Sequence, residues 1–375
     1  MTSSNPITYW DYLHLDDLLT LQRGLAEDDA DISEDELHFI VVHQAFELWF
    51  KLILRELRLA RDKMAASFVE EETIPYVVHH VRRVVEILRL ATEQFRVMET
   101  LTPQDFLAFR HKLGTASGFQ SLQMREIEAL MGLREPERAA FGHTDPLTAV
   151  LSMAQLSPHS MAMLQRVQQA RQDVSLRQAL HTWLYRTPIQ GSRPGDANDA
   201  DVVRIFLEAY FSALRQQQAT QMDQLEADGG DRAAIQTRFA ASLHASHAFL
   251  SGADAAVSER LQICRLRAAL LFIESYRDLP LLAWPRLLLD TVVEMEEGLI
   301  LWRTRHARMV ERVIGRRVGT GGSSGVDYLD ETAKYRIFPE LWAVRTLLLP
   351  RAALPALQRA ALYHFATRDP SPTKR

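Results

Sequence analysis

The chain has 375 residues, of which 47% are hydrophobic and 24% are charged, and this balance excludes intrinsic disorder as its main state. Its 43 basic and 48 acidic side chains give a formal charge of −5, so no global positive field is present that would attract nucleic acid or an anionic membrane surface. Cys264 is the single cysteine, which excludes a disulfide framework, a Cys-x-x-Cys redox pair and a thiolate-rich zinc site, and a reducing cytoplasm is the expected location.

Neither a targeting segment nor a membrane span is expected. The N-terminal stretch lacks the basic start and the continuous apolar run of a secretory signal. The longest uninterrupted apolar runs, such as Ala268–Ile273, are far shorter than the roughly 20 residues that cross a bilayer. We therefore expect neither a membrane partner nor a nucleic-acid partner.

Helical periodicity dominates the chain and predicts an all-α fold. In residues 34–63, Leu37, Ile40, Leu48 and Leu52 recur at helical intervals. Thr102 followed by Pro103 is typical of a helix start, because Thr caps the first turn and Pro suits its first position. In chain order, the predicted helices cover residues 34–63, 77–98, a stretch from 102, and 146–153, 161–187, 201–227, 232–250, 256–276 and 284–314.

Breaks in this pattern favour one domain with a helical insertion over two domains. A polar stretch at 190–200 and a Gly-Gly pair within 227–231 flank the amphipathic segment Asp201–Glu226, which predicts a protruding hairpin. We expect residues 1–33 to form an N-terminal arm and residues 34–365 a single helical domain, within which 136–265 is a variable helical insertion. Residues 366–375 are expected to be a frayed tail.

A histidine lies on an aromatic face of the first long helix. Phe39, His43, Phe46 and Phe50 share this face because their spacing follows the helical repeat. Such a cluster is typical of a pocket for a flat apolar molecule. A core histidine that hydrogen-bonds a neighbouring carbonyl group gives the same pattern, and the pattern alone favours this second interpretation.

An arginine one turn after a phenylalanine is the second candidate. Phe106 and Arg110 can face the same cavity, and an arginine can bind a carboxylate through two parallel hydrogen bonds. The alternative is an arginine whose stem packs on the helix while its head lies in water or pairs with an acid. Taken by itself, the spacing favours that alternative.

A third candidate lies near the end of the last long helix. His306 shares an apolar face with Leu299, Trp302 and Val310, which is typical of a haem ligand. An ordinary core histidine has the same surroundings, and the residues alone favour it. No cysteine-containing haem-attachment motif is present, so any haem would be bound non-covalently.

A loop rich in glycine and serine, Gly319–Gly325, follows this helix. Its amides and hydroxyls can hold an anion, and glycine permits tight bends. It is not a phosphate-binding loop, because no strand precedes it and no Gly-Lys-Ser/Thr follows. The two interpretations are a flexible lid over a site and a plain linker, and composition does not decide between them.

These segments, in this order, resemble the tryptophan 2,3-dioxygenase family. The distal-helix motif of the family is similar to residues 39–51, its substrate-binding segment to residues 106–121, and its haem-ligand helix and lid to residues 302–329. The opening Tyr9-Trp-Asp-Tyr12-Leu13 resembles the family as well. The resemblance covers residues 9–135 and 268–350 well and residues 136–265 loosely.

The resemblance implies a haem pocket between long helices, with haem b bound non-covalently. His306 would be the proximal ligand of the iron, and His43 would lie on the distal side near the substrate's indole N–H. Arg110 would hold the substrate carboxylate, and Thr320 would contact its ammonium and carboxylate when the loop closes. The other implied site residues are Phe39, Phe106 and Leu113 around the indole, Ser117 near the distal haem face, and Tyr9 and Tyr12 in a neighbouring subunit's site.

The family's reaction inserts both atoms of O2 across the indole C2–C3 bond of L-tryptophan and gives N-formyl-L-kynurenine. Because the family is an intertwined homotetramer, the resemblance implies that the arm 1–33 reaches a neighbouring subunit. We predict that His43 orients and hydrogen-bonds the substrate without being an indispensable base, because the indole N–H is too weak an acid to lose its proton first.

Two alternatives remain open at the level of the sequence. One is a related haem oxygenase that acts on a substituted tryptophan in secondary metabolism and inserts one oxygen atom; the mass of the product distinguishes it. The other is a helical haem or tryptophan sensor. The presence of His43, Arg110, Thr320 and His306 together argues against a sensor. A sensor would not need both a set of residues that holds the substrate and a pocket that faces the oxygen.

Overall fold

The computed structural model describes residues 6–24, 31–114, 116–134, 137, 158–317 and 325–365. In these ranges the regular elements are helices, and strand-like pairing is confined to an isolated bridge between Ile189 and Ser192. The predicted all-α fold is confirmed. The predicted helix at 146–153, the loop residues 318–324 and the tail 366–375 lie outside the described residues.

The N-terminal half contains two short helices followed by four others, which include the predicted distal segments. Their bounds are α1 Tyr9–Leu13, α2 Leu15–Leu18, α3 Glu34–Met64, α4 Thr73–Met98, α5 Pro103–Phe109 and α6 Leu122–Met131. The start of α5 is as predicted, because the Thr102 side chain accepts a hydrogen bond from the Asp105 amide and Pro103 occupies the first turn.

The C-terminal half contains the insertion and the helix of His306. Its helices are α7 Pro158–Gln172, α8 Leu176–Arg186, α9 Asp199–Ala227, α10 Arg232–Leu250, α11 Arg260–Ser275, α12 Ala283–Ile314, α13 Gly325–Thr332 and α14 Pro339–Ala343. Helices α9 and α10 pack against each other across the Gly-Gly turn, as expected for the hairpin.

Several predicted helix bounds are wrong, and the helix predicted from residue 77 begins at Thr73. The stretch 161–187 forms two helices, because Ser175 caps α8 through a reciprocal pair of hydrogen bonds with Gln178 and so starts a new helix. The helix predicted from residue 256 begins at Arg260. Residues 256–259 are turn in the structure, with the Glu259 amide hydrogen-bonded to the Ala256 carbonyl oxygen.

The core that positions the site is built on α4, which packs against both α3 and α12. Its apolar face is buried, as shown by Val81, Leu88 and Phe95. A Cβ atom at Gly298 of α12 would lie 3.4 Å from the Leu88 Cβ atom, so glycine allows α12 to approach α4 closely. This packing brings the helices of His43 and His306 to the same core.

A buried ion network joins α6, α12 and α13. The Arg303 guanidinium donates to Glu128 Oε1 at 2.8 Å and to the Thr332 carbonyl oxygen at 3.3 Å, and Arg125 lies 3.1 Å from Glu128 Oε2. Charges buried in this way are tolerated only when they are paired, so the network locks the three helices together. The network thereby fixes the position of α13, the helix that follows the glycine-rich loop.

Helix α3 has a second surface that is not buried in the chain. By length and composition alone it could cross a membrane, a criterion that core helices of soluble proteins also meet. Leu37, Val41, Leu48 and Leu52 are between 36% and 52% exposed, and their spacing places them on one side of the helix.

Candidate active site

An aromatic cluster surrounds His43 on α3. The Phe39 ring lies 4.0 Å from the His43 ring, 5.9 Å from the Phe106 ring and 5.6 Å from the Phe109 ring, measured between centroids. The structure thus brings together two segments that the sequence separates by more than 60 residues. Flat apolar walls with one polar group suit an aromatic ring that carries one hydrogen-bonding atom.

The environment of His43 fixes both its protonation and its tautomer. Burial lowers its pKa, against the raising effects of the Phe39 carbonyl and the Glu47 charge, so the ring is neutral at neutral pH. Its Nδ1 atom lies 2.8 Å from the Phe39 carbonyl oxygen, which can only accept, so Nδ1 carries the proton. The Nε2 atom is therefore left as a hydrogen-bond acceptor.

His306 on α12 lies in an aromatic environment as well. Its ring is stacked on Phe95 at 5.5 Å and lies 5.2 Å from the Trp302 ring. Burial, with a smaller effect of the nearby His43, lowers its pKa to about 4. Helix α3 reaches these surroundings, because the ring of Phe46, which follows His43 by three residues, lies 4.8 Å from the Phe95 ring that stacks on His306.

The residues present fit a haem. His306 is a neutral imidazole, the form that binds iron. In the described part of the chain, no group of three or more His, Cys, Asp or Glu side chains could hold a metal ion. The Trp302 Nε1–H, buried beside His306, has no hydrogen-bond partner within the described ranges, and a polar group of a bound cofactor would satisfy it.

The arginine candidate follows α5 directly. Residues Arg110–Leu113 form a 3-10 helix that ends at Gly114, whose φ of +55° lies in the region that favours glycine. In a 3-10 helix residues three apart lie on the same side, so Arg110 and Leu113 share one side of this element. Leu113 packs against the main core, and both residues are half-buried.

Ser117 lies in the following turn, whose geometry is fixed by local hydrogen bonds. The Gln120 amide donates to the Ser117 carbonyl oxygen at 2.9 Å, and the Ser117 amide donates to Gln120 Oε1 at 3.3 Å. One turn into α6, Gln123 Nε2 donates to the Glu47 carbonyl oxygen at 2.8 Å and to its Oε2 at 2.7 Å. The Ser117 segment is thus tied to α3 one turn after His43.

Two predicted site residues, Tyr9 and Tyr12, are not brought to these side chains, and the placement of a third is not described. Thr320 lies outside the described residues. Tyr9 and Tyr12 lie on α1 and are each 76% exposed, so the single chain does not place their side chains in its own pocket. Their expected role in a neighbouring subunit's site stays a prediction.

Sequence reasoning did not name two residues that contact the site segments, Phe95 and Lys112, and it named Trp302 only as part of an apolar face. Phe95 stacks on His306, Trp302 carries the unpartnered buried N–H, and Lys112 pairs with Glu36 at the start of α3. The position of Phe95 in the apolar pattern of α4 was a signal for burial but not for a stack on His306. No signal in the sequence indicates the partners of Trp302 and Lys112, because they depend on tertiary contacts.

Comparisons with known proteins find similar sequences that share one name. A protein from Sorangium cellulosum named tryptophan 2,3-dioxygenase is 46% identical over 97% of this chain and 88% of its own length. Tryptophan 2,3-dioxygenase 2 of Ralstonia nicotianae is 44% identical over 96% of this chain and 98% of its own length. A tryptophan 2,3-dioxygenase-like protein of Xanthomonas campestris is 48% identical over 71% of this chain and 98% of its own length.

The match is not confined to the segments around the pocket. The family model described as tryptophan 2,3-dioxygenase matches residues 1–348, which include the central helices that the motifs cover only loosely. The chain therefore belongs to the tryptophan 2,3-dioxygenase family of enzymes.

Proposed function

We propose that the chain is a haem-dependent dioxygenase that converts L-tryptophan and O2 into N-formyl-L-kynurenine. The observation that carries this proposal is a set of aromatic contacts that joins α3 to α12, with His43 against Phe39 at one end and His306 against Phe95 and Trp302 at the other. His306 is suited to bind an iron, and His43 presents its Nε2 atom as a hydrogen-bond acceptor. Family membership supports the substrate and the reaction class.

His306 would hold haem b from the proximal side, bound without a covalent link. When bound, the haem supplies the activation of O2, chemistry that no side chain provides. The stack with Phe95 and the contact with Trp302 hold the His306 ring in a fixed orientation. The neutral form of His306 at neutral pH keeps its nitrogen available to the iron.

The distal residues would bind and orient the substrate. His43 Nε2 would accept the indole N–H, and Phe39, Phe106 and Leu113 would enclose the indole ring. Because the Phe39 carbonyl fixes His43 Nδ1, the acceptor nitrogen has a defined direction. The aromatic walls also exclude water, which strengthens each polar contact in the pocket.

The polar end of the substrate needs a cation for its carboxylate and acceptors for its ammonium group. Arg110 would hold the carboxylate through its planar guanidinium. Thr320, in the loop after α12, would contact the ammonium and carboxylate groups, and Ser117 would lie near the distal face of the haem. Arg110 and Ser117 lie on short elements that are connected to the α3 region by hydrogen bonds. These connections keep both residues in a constant position relative to His43.

We further propose that the enzyme is a cytoplasmic homotetramer in which Tyr9 and Tyr12 reach a neighbouring subunit's site. The arm exposes large apolar side chains, among them Tyr9, Tyr12 and Leu21, and exposed apolar patches of this kind mark protein interfaces. The arm is held on α3, because Gln44 Nε2 donates to the Leu21 carbonyl oxygen at 2.9 Å. The exposed side of α3 that contains Val41 and Leu48 would then be covered by protein.

The test is single-turnover chemistry on purified, haem-loaded protein. The protein is reduced without oxygen, mixed with L-tryptophan and then with O2, and the product is analysed by mass and absorbance. We expect a mass gain of two oxygen atoms and the absorbance of N-formylkynurenine. Haem binding without tryptophan turnover would redirect the search to substituted tryptophans, and failure to bind haem would overturn the proposal.

A further inference from the structure

Lys112 bridges the segment of Arg110 and the start of α3. Its Nζ atom donates to Glu36 Oε2 and to the Asp31 carbonyl oxygen, each at 2.7 Å. Glu36 is only 6% exposed, whereas 38% of the Lys112 side chain is accessible. A buried carboxylate needs a partner, so the energy of this contact holds the lysine in one place.

The contact between Lys112 and Glu36, called the tether below, acts on the 3-10 helix that carries Arg110. In such a helix successive side chains are about 120° apart, so Lys112 lies on a different side from Arg110 and Leu113. When Lys112 is held in place, the rotation of the short helix is restricted, and so is the direction in which the side with Arg110 and Leu113 points. Short 3-10 helices are weakly held by their own hydrogen bonds, and an external contact has a large influence on their orientation.

The other end of the tether lies on the distal helix. Glu36 is in the first turn of α3, three residues before Phe39 and seven before His43, and this spacing places all three on one helical face. The Ser33 hydroxyl accepts a hydrogen bond from the Glu36 amide and so fixes the backbone there, and the helix N-terminus favours the negative charge of the Glu36 carboxylate. The ion pair therefore joins the segment of Arg110 to the helix that carries Phe39 and His43.

We propose that Lys112 is a positioning residue that sets the affinity of the site for the carboxylate of its substrate by orienting Arg110 relative to Phe39 and His43. The inference rests on the proposed function, in which Arg110 binds that carboxylate. Lys112 itself does not touch the substrate. It acts through the ion pair with Glu36.

The test compares two ligands on haem-loaded protein, with binding followed by the change in the haem absorption spectrum. L-tryptophan carries the carboxylate, and tryptamine keeps the indole and ammonium groups but lacks it. We expect Lys112→Met to weaken L-tryptophan binding about tenfold, because small misplacements of a binding group are costly. Tryptamine binding should change by less than about twofold, the usual limit for independent sites.

A double-mutant cycle tests whether the effect passes through Arg110. In an Arg110→Met background, Lys112→Met should leave L-tryptophan affinity nearly unchanged, because the carboxylate contact is already lost. In steady-state kinetics Lys112→Met should raise KM and leave kcat within about twofold, the signature of lost binding shared by ground and transition states. Lys112→Arg, which keeps the charge, should restore most of the affinity.

Lys63→Met is the matched control, because Lys63 lies at the other end of α3 over the Tyr76 ring. If Lys112→Met unfolds the protein by leaving Glu36 unpaired, the pair Lys112→Met with Glu36→Gln removes both charges together. The inference would be overturned if Lys112→Met weakened the binding of L-tryptophan and of tryptamine equally. It would also be overturned if Lys112→Met had no larger effect on L-tryptophan binding than Lys63→Met. A parent enzyme that neither binds nor converts L-tryptophan would instead overturn the proposed function.

Discussion

The His43 ring donates a hydrogen bond from Nδ1 to the carbonyl oxygen of Phe39, one helical turn earlier, over 2.8 Å. The Phe39 ring itself lies 4.0 Å from the imidazole. One residue therefore fixes the tautomer of the histidine through its backbone and packs against the ring through its side chain. This pair defines the direction of the acceptor nitrogen in the pocket.

Replacing His43 by Ala should slow the reaction without abolishing it. The variant loses one hydrogen bond worth about 1 to 2 kcal/mol, which corresponds to a fall in kcat/KM of roughly 5- to 30-fold. Steady-state kinetics of the haem-loaded variant measure this, with haem content and substrate occupancy determined in parallel. Undetectable turnover at full occupancy would show that His43 is an essential base.

Replacing His306 by Ala should remove the haem from the protein. The variant lacks the nitrogen that holds the iron, and added imidazole, which can occupy the space left by the side chain, should restore part of the haem binding. The ratio of haem absorbance to protein absorbance after gel filtration reports this. His364→Ala, at an exposed histidine, is the control, and normal haem content in the His306→Ala variant would contradict the assignment.

Replacing Arg110 by Lys should raise KM for L-tryptophan by roughly 10- to 100-fold. Lysine keeps the positive charge but loses the two parallel hydrogen bonds that a guanidinium makes to a carboxylate. Initial rates over a range of L-tryptophan concentrations give the value. Arg96→Lys, at an exposed arginine paired with Glu93, serves as the control. An unchanged KM would place the carboxylate elsewhere.

Glu340 should contribute to stability at neutral pH and lose this contribution in acid. Burial raises its pKa, but the hydrogen bond and charge of His181 and the charge of Arg177 outweigh burial and lower it from 4.5 to about 2. The unfolded chain then takes up a proton before the folded one does. Stabilisation of up to roughly 3 kcal/mol is therefore present above about pH 4.5 and is lost as the pH falls towards about 2.

Urea unfolding across the acid range tests this assignment for Glu340. The Glu340→Gln variant should be less stable than the parent at neutral pH and should lose less further stability as the pH falls. The control is Glu331→Gln, which affects an exposed pair with Lys334. Parallel pH profiles for Glu340→Gln and the parent would show that another carboxyl group is responsible.

Replacing Gly132 by Ala should destabilise the fold at the end of α6. Gly132 has a φ of +113°, and an added Cβ atom would lie 2.8 Å from both the Arg177 Cβ and the Ser175 Oγ atoms. Backbone strain and this clash together should cost more than about 2 kcal/mol. Gly195→Ala has similar strain, with a φ of +96°, but meets no atom within 4 Å, so it should cost less. Equal loss of stability in thermal unfolding would refute the contribution of the clash.

Much of the fold was predictable because it follows from local patterns. The helical repeat gave α3 from Glu34 and α12 to Ile314 within one or two residues at their ends, and the Thr102-Pro103 signal located the start of α5. The break before α8 was missed, although Ser175 and Gln178 form a capping box that the sequence contains.

For the site, the sequence by itself determined which residues share a helical face, and the resemblance of its motifs indicated the roles of His43, Arg110 and His306. The neutral state of both histidines and the burial of the Trp302 N–H without a partner among the described residues were decided by tertiary structure. The Lys112–Glu36 contact joins residues 76 positions apart. Burial and pairing of this kind arise when distant helices meet, and no local repeat specifies them.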